Sequence, residues 1–481
     1  MASRLANMLV VGAVASLAAC APNLGDKPVP RTAASLAATR SLPDQGGQWP
    51  GDGWWKAYGD AQLDQLITEG LAGSPDIAAA AARLARAQGL AQSAGGALGP
   101  NIGAQGSAGK VKQSYNNGFP RQFLPQGWKD TGALNLQFGL DLDLWGKNRA
   151  QLRAALNERD AARVEAAQAR LTLASSIAAS YADLARLYAE RDVAEEALRI
   201  QQDTAGLVSD RVRNGIDTEG QRRQAEAQVP AARADLESLD EQIALTRNQI
   251  AALIGAGPDR GLAIARPKLS TLNMLALPPS AGIDLVGRRP DIVAARSRVE
   301  AAAERIKAAH AAFYPDISLN GLVGLQALGF GNVFKGGSTY GNVGPAFSLP
   351  LFDTGRRAGD YRVARADYDT AVANYDKTLI DALQEVANAV ASRNALGTQA
   401  GDVRASMADS QKAFEIARLR YRAGLSPYLD VLTAEQQLIV ARRRDADLTA
   451  RAFTLDVALI RALGGGFTTA ADKTSGGSAG A

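Results

Sequence analysis

Apolar and polar residues follow two different periods along this chain. Leu134, Leu136, Phe138, Leu140, Leu142 and Leu144 alternate with Asn135, Gln137, Gly139, Asp141 and Asp143. That period of two predicts a strand with one apolar and one polar face, because no helix produces it. The pattern then changes at once. Residues 147–213 contain no proline and a single glycine, Gly206, in a composition led by Ala, Leu, Arg, Glu and Gln. As one helix this stretch is about 100 Å long, well beyond the roughly 8 to 20 residues usual in globular domains. A two-faced strand followed by such a rod reads as part of something that spans a distance.

The neighbouring elements follow from caps and breakers. Residues 54–71 carry Leu63, Leu66, Ile67 and Leu71 on one stripe and read as a short amphipathic helix anchored by Trp54 and Trp55. Ser74 and Pro75 suit the N-cap and first position of a helix ending near Gly95. A first strand starts at residues 100–102, and a polar and aromatic loop over 109–130 leads to the second. The long helix stops at Arg213, Asn214 and Gly215, where glycine takes the left-handed cap. Asp217 is expected to cap a further helix reaching about Ile254, with Pro230 as a kink. Residues 255–279 read as an irregular connector.

The second half repeats the first. Residues 289–292 answer 74–77, and 315–317 answer 100–102, both at an offset of 215. Beyond the second strand pair the offset is 209: Leu349 answers Leu140, Gly355 answers Gly146, Gly424 answers Gly215 and Gly464 answers Gly255. The length is lost between the paired strands, where a loop tip tolerates it. The rods keep theirs, since residues 356–422 are again proline-free. Each repeat reads short helix, strand, strand, long helix, tight turn, medium helix. Both strand pairs then lie at one end and both glycine turns at the other. The boundaries expected are 51–264 for the first repeat, 265–287 for a connector, 288–464 for the second repeat and 465–481 for a disordered tail.

The N-terminus changes the setting. Residues 1–19 form a signal peptide, with Arg4 ahead of the apolar run 8–19. That run is too short to span a bilayer. Leu17, Ala18, Ala19 and Cys20 resemble the lipobox of bacterial lipoproteins, in which the cysteine becomes the acylated first residue, and Cys20 is the only cysteine. With Ala21 and no aspartate after it, outer-membrane sorting is expected. Residues 20–50, rich in Pro, Gly, Ser and Ala, read as an extended lipidated tether. Charge adds little: 53 basic against 49 acidic residues give a net charge of +4 spread along the helices, which offers no nucleic-acid signal.

The strands decide the environment. Ile317, Leu319, Gly321, Val323 and Leu325, and again Val343, Phe347, Leu349 and Leu351, keep one apolar face; Ser318, Asn320, Gly324 and Ser348 lie opposite. An outward apolar band is how a sheet is accommodated in an outer membrane. A half-buried strand of a soluble sandwich explains any one of them alone, but the chain offers no face large enough to cover four. Four strands cannot close, since bacterial barrels have about eight or more, and an open edge in lipid costs several kcal/mol per unpaired backbone group. An oligomer of at least two copies sharing one barrel follows. Asn135, Gln137, Asp141 and Asp143 then line a water-filled lumen. Ile177, Tyr181, Leu184 and Tyr188 form a heptad-like seam that suits a helical tube or an intramolecular coiled coil.

Five stretches, WWKAYGDAQLDQLI, LVGRRPDIVAARSRVEAA, AAFYPDISLNGLVG, FSLPLFDTGRR and LRYRAGLSPYLDVLTAEQQL, together with the duplication itself, resemble the TolC-like outer-membrane efflux family, specifically its NodT-type lipoprotein branch. The resemblance covers residues 54–464. It implies a mixed fold, a membrane β-barrel plus a long α-helical barrel, in which a homotrimer closes twelve strands from four per protomer. It further implies the exit duct of a tripartite pump with a periplasmic adaptor and an inner-membrane transporter, often of the resistance-nodulation-division (RND) class. By position, Asn214, Gly215, Ile216, Arg422, Gly424 and Leu425 become adaptor-contacting tip residues. Leu429, Asp430 and Thr433 fall on the pore constriction, with Thr433 standing where relatives carry a second acid. A plainer role for Asp430 is to favour the helix dipole in a first turn opened by Ser426 and Pro427.

Enzyme chemistry finds little footing. His310 is the only histidine and reads as a packed imidazole, so a His-rich metal site is excluded, Cys/His catalysis is implausible, and no cofactor is expected. Residues 95–99 lack the strand-then-helix context of a phosphate loop. Two rivals stay open: a type I protein-secretion duct of the same architecture, and a non-conducting coiled-coil lipoprotein, which leaves the alternating strands unexplained.

Overall fold

The computed structural model of the chain describes residues 21–38, 40–42, 46–116, 118–268, 277–278, 281–349 and 352–468. In chain order its main elements are α1 (Ala61–Gly73), α2 (Pro75–Gly96), β1 (Asn101–Val111), β2 (Lys129–Asp141), α3 (Lys147–Arg213), α4 (Glu219–Leu253), α5 (Pro258–Leu262), α6 (Ala281–Arg288), α7 (Pro290–Ala311), β3 (Asp316–Leu328), β4 (Thr339–Ser348), α8 (Arg356–Arg422) and α9 (Tyr428–Ala462). The duplication is metrically faithful, because α3 and α8 have 67 residues each and α4 and α9 have 35 each. The described residues fall into two compact units, one within 1–30, 83–162 and 295–375 and the other within 31–82, 163–294 and 376–481, and each draws on both halves of the sequence.

The first unit holds one antiparallel sheet in the order β1-β2-β3-β4. Its register aligns the apolar positions. Ile102 faces Phe138, Leu136 faces Val323, Leu134 faces Leu325, Leu140 faces Leu319 and Ile317 faces Phe347. Several of these side chains are bare: Ile102 is 69%, Val343 78% and Phe347 80% exposed. Since burying such side chains is worth about 1.5–3 kcal/mol each, a face left this open needs lipid or protein against it. Among the described residues the outer edges of β1 and β4 have no strand partner.

Asp143 departs from the expected strand. β2 ends at Asp141, and Asp143 stands in the following turn at φ 44°. Its carboxylate accepts from the backbone N–H groups of Asn148 and Arg149 at 2.9 Å each and from Arg149 Nε at 3.1 Å. Asp141 accepts from Asp143 N–H at 2.9 Å and Asn148 Nδ2 at 2.8 Å. The first N–H groups of α3 have no partner inside the helix, so acceptors there serve the helix start. The alternation of the strand therefore ends at Leu140, and Leu142 and Leu144 lie beyond it.

The second unit is held by a core in which Ile177, Tyr181 and Leu184 of α3 are fully buried against Leu63, Leu66 and Ile67 of α1, Ile243 and Ile250 of α4, and Phe453, Val457 and Ile460 of α9. The heptad-like seam thus packs within the protomer. Residues 54–71 are not one helix: a 3-10 turn over Trp54–Tyr58 ends at left-handed Gly59, and Asp60 caps α1 by accepting from Gln62 and Leu63 N–H. Arg289, from the quoted RRPD stretch, is buried and donates to Asp291, Glu385 (2.8 Å) and the Ala462 carbonyl (3.0 Å). Residues 255–279, expected to be irregular, hold the short helix α5, and α6 follows them. Gly464, Gly465 and Gly466 all take positive φ in close packing, where an added Cβ would lie 2.0 Å from Arg288 O, 2.0 Å from Leu171 Cδ1 and 2.3 Å from Gly51 C. The start of the expected tail is therefore a packed glycine turn, and residues 469–481 lie outside the described residues.

Candidate functional site

The two glycine turns joining long to medium helices have one backbone. In the first, Gly215 N–H donates to Val212 O at 2.9 Å and Ile216 N–H to Arg211 O at 2.9 Å. In the second, Gly424 N–H donates to Tyr421 O at 3.0 Å and Leu425 N–H to Arg420 O at 2.8 Å. Both are Schellman motifs, with the glycine at φ 70° and 72°. Asn214, Gly215, Ile216, Arg422, Gly424 and Leu425 are all exposed, and the equivalent apolar pair Ile216 and Leu425 is 59% and 70% exposed. Bare apolar side chains at matched positions make these ends a surface suited to contact.

Side chains distinguish the turns. Asp217 does not cap α4; Thr218 does, accepting from Gln221 N–H while the Gln221 side chain returns to Thr218 N–H in a capping box. Asp217 instead accepts from Arg211 Nε at 2.8 Å and from the Tyr421 hydroxyl. Arg211 also donates to the Tyr421 carbonyl at 2.9 Å and lies 4.4 Å from that ring's centroid. Arg211 and Asp217 are nearly buried. Burial works to raise the Asp217 carboxyl, but hydrogen bonds from Arg211 and Tyr421, with the guanidinium charge, outweigh it and hold the carboxyl below its usual range. Burial first, then Asp217, pushes the Tyr421 phenol up. The first turn is thereby tied to the end of α8.

The second turn shares that tie through Tyr421, whose carbonyl also accepts from Gly424 N–H, but among the described residues it has no capping box of its own. Pro427, not Ser426, is the N-cap of α9 and makes no side-chain cap bond, while Ser426 Oγ is buried without a hydrogen-bond partner. On α9 the buried face carries Tyr428, Val431, Leu432, Glu435 and Leu438. Leu429, Asp430 and Thr433 share the opposite, exposed face, where Leu429 is 61% exposed and Thr433 Oγ1 donates to Leu429 O at 2.9 Å.

On the sheet, Asn135, Gln137 and Asp141 share a face with Gln105, Ser318, Asn320 and Tyr340. Gln137 Nε2 donates to Gln105 Oε1 at 2.7 Å, and Asn135 Nδ2 to Tyr340 Oη at 3.3 Å. Asp143 is absent from this face. The N-terminal segment lies on α8: Arg365 donates to the carbonyls of Gly25 (3.0 Å) and Asp26, Tyr368 Oη to that of Pro28 (3.0 Å), and Arg31 N–H to Asp376 Oδ1 (2.8 Å). Toward its N-terminus the segment thus steps back along α8 toward the end that follows β4. Cys20 lies outside the described residues.

Sequence reasoning missed Arg211, Tyr421 and the real role of Asp217. The signal was a break in the repeat, because the 209-residue offset sets Tyr421 opposite Val212 and Asp217 opposite Ser426.

A sheet apolar on one face and polar on the other, in a chain whose paired rods end in exposed Schellman turns, defines a protomer of an outer-membrane channel. Residues 66–256 and 284–465 match the outer membrane efflux protein family, and the chain belongs to it. It is 36% identical to the fusaric acid resistance protein FusA of Burkholderia cepacia over 376 residues, 74% of this chain and 69% of that one. It is 30% identical to the pyoverdine export outer membrane protein OpmQ of Pseudomonas putida over 459 residues, 94% of this chain and 96% of that one. The structure of the outer membrane protein VceC of Vibrio cholerae shares 43% identity at a TM-score of 0.83, covering 87% of this chain and 100% of that one. The fold is that of a TolC-like channel, and the protein is an efflux exit duct of the outer membrane that extends into the periplasm.

Proposed function

We propose that three copies close a twelve-stranded barrel and act as a passive duct for small organic molecules, without enzymatic chemistry of their own. The carrying observation is the sheet itself, apolar and exposed on one face with both outer edges unpaired among the described residues. A single copy cannot satisfy those edges in lipid. The polar face with Asn135, Gln137 and Asp141 lines the lumen. Periplasmic adaptor hairpins dock on the tips at Asn214, Gly215, Ile216, Arg422, Gly424 and Leu425, and an inner-membrane transporter of the RND class drives export. Relatives named for fusaric acid resistance and pyoverdine export favour small organic cargo over secreted proteins.

In this reading the tip is the closed end. Leu429, Asp430 and Thr433 of each copy face the axis, and the Arg211–Asp217–Tyr421 tie holds the two turns of a protomer together. Three carboxylates around an axis repel anions and attract cations. Cys20 carries the acyl anchor; the direction of the tether on α8, toward the end that follows β4, supports this. Native mass measurement of detergent-extracted protein with planar-bilayer recording tests the reading, which requires three copies and a conducting pore. A single-copy species without conductance would end it. Within it, Leu429→Ala with Asp430→Ala raises conductance, and an unchanged value removes the constriction assignment alone.

A further inference from the structure

Glu435 is an acid that the duct reading leaves unused. It is 2% exposed on α9, on the same face as Tyr428, Val431, Leu432 and Leu438 and across the helix from Leu429, Asp430 and Thr433. It accepts from two neutral side chains of α3, Gln201 and, at a long 3.5 Å, Thr204 Oγ1. Gln201 Oε1 is buried without a partner. No basic side chain pairs with it among the described residues.

The duplication shows what has changed. At the offset of 209, Glu435 answers Glu226, which pairs with Arg222 at 3.1 Å and Arg223 at 3.3 Å. The residues answering those arginines are Val431 and Leu432, both buried. The second repeat has kept the acid and replaced both of its cations with core side chains. A buried ionised carboxylate with no cation and only two neutral donors is unfavourable, whereas a neutral carboxyl fits and has a proton to donate.

We propose that Glu435 is a proton-sensitive latch: its neutral form holds the constriction-bearing stretch of α9 against α3, and loss of the proton loosens the tip. The inference rests on the duct reading of the tip. Burial raises the Glu435 carboxyl to about 7, with Gln201 and Thr204 opposing it weakly. An exposed glutamate titrates near 4.3. The packed form therefore binds the proton more tightly, so its stability is fully present below about pH 4.3 and is lost as pH rises through about 7.

The surrounding charges do not supply another sensor in that window. From α3, Glu435 meets the neutral Gln201 and Thr204. On α9, Tyr428 is pushed up to about 12 by burial first and by Glu435 second. Of the charged groups on neighbouring elements, Arg211 and Asp217 are paired, Tyr421 is bonded to Asp217, and Arg442 donates to Gln411 and lies 3.9 Å from Glu196.

The test is single-channel conductance of the reconstituted full-length protein between pH 5.5 and 8.5. Wild type is expected to conduct several-fold more at pH 8 than at pH 6, a span over which the ratio of ionised to neutral Glu435 rises about a hundredfold. Glu435→Gln stays low across the range, and the response survives Asp430→Asn, whatever that change does to conductance itself. A second variant, Thr204→Val, moves the midpoint to higher pH by removing the hydroxyl that favours the charged form. A flat wild type overturns the latch, and so does a Glu435→Gln protein that tracks wild type or a Thr204→Val midpoint that does not move. Conducting but pH-insensitive channels would sink the latch and leave the duct standing. Absence of conductance at every pH, in wild type and in Asp217→Ala, would sink both.

Discussion

The two helix turns share a hydrogen-bond pattern and a left-handed glycine, yet differ in almost every polar side chain. The first is over-determined: a Thr218–Gln221 capping box, a nearly buried Arg211–Asp217 pair and the Tyr421 hydroxyl all converge on it. The second has Pro427 as a cap without a side-chain bond, an unpartnered Ser426 hydroxyl and an acid, Glu435, without a cation. Duplication supplied two turns of one backbone, and side-chain chemistry gave the first a capping box and an ion pair that the second does not have among the described residues. In the proposed duct, that inequality places the weaker hold on the side that carries Leu429 and Asp430.

Asp217→Ala is expected to have the largest effect. It leaves a nearly buried guanidinium and a phenol without their acceptor, a loss of roughly 3 kcal/mol by analogy with broken buried pairs. The thermal midpoint falls and, in the duct reading, the closed tip leaks. Tyr421→Phe, which removes only one hydrogen bond, costs about 1 kcal/mol and leaks less. An equal effect for the two variants would deny the central place of Asp217.

The glycines test whether the backbones are truly equivalent. Gly215→Ala and Gly424→Ala each put a Cβ into open space at positive φ, so each costs about 1–2 kcal/mol of conformational strain and the two costs match within error. Unequal costs, read from denaturant unfolding, would show that the turns differ in backbone as well as in side chains. The caps give the smallest effects and the sharpest contrast. Thr218→Ala costs about 1 kcal/mol. Ser426→Ala costs nothing or stabilises slightly, since it removes a buried hydroxyl that has no partner.

Acid separates the two sides by sign. Asp217 is held below its ordinary value, so the stability it contributes is present above about pH 3.9 and is lost as pH falls through its lowered value. Glu435 acts oppositely, favouring closure as pH falls from about 8 toward 4. Leak conductance measured across pH is therefore expected to fall on mild acidification and to rise again only in strong acid. A monotonic profile would count against one of the two assignments.

Periodicity and caps carried most of the fold. The boundaries of α3 and α8 read from proline-free runs stand at the residues expected, and the 209-residue offset reproduces both Schellman turns and both 35-residue helices. What was illegible came from competition for backbone donors. Asp143 looked like a strand residue by alternation, but the unpaired N–H groups at the start of α3 recruited it. Asp217 looked like a cap by position, but Thr218 with Gln221 made the better one and freed the carboxylate for Arg211 and Tyr421. The tie between the turns joins residues 204 apart in sequence, and no local pattern reports such a contact. Leu429, Asp430 and Thr433 were named from resemblance, and helical spacing is enough to explain why they share an exposed face.

Single-channel conductance of the Asp217→Ala protein in a planar bilayer, beside wild type at neutral pH, tests most directly whether the first turn is the post on which the tip closes. The variant is expected to conduct several-fold more than wild type while remaining an oligomer of the same size. An oligomer of that size with wild-type conductance would show that the tie between Asp217, Arg211 and Tyr421 does not hold the pore shut.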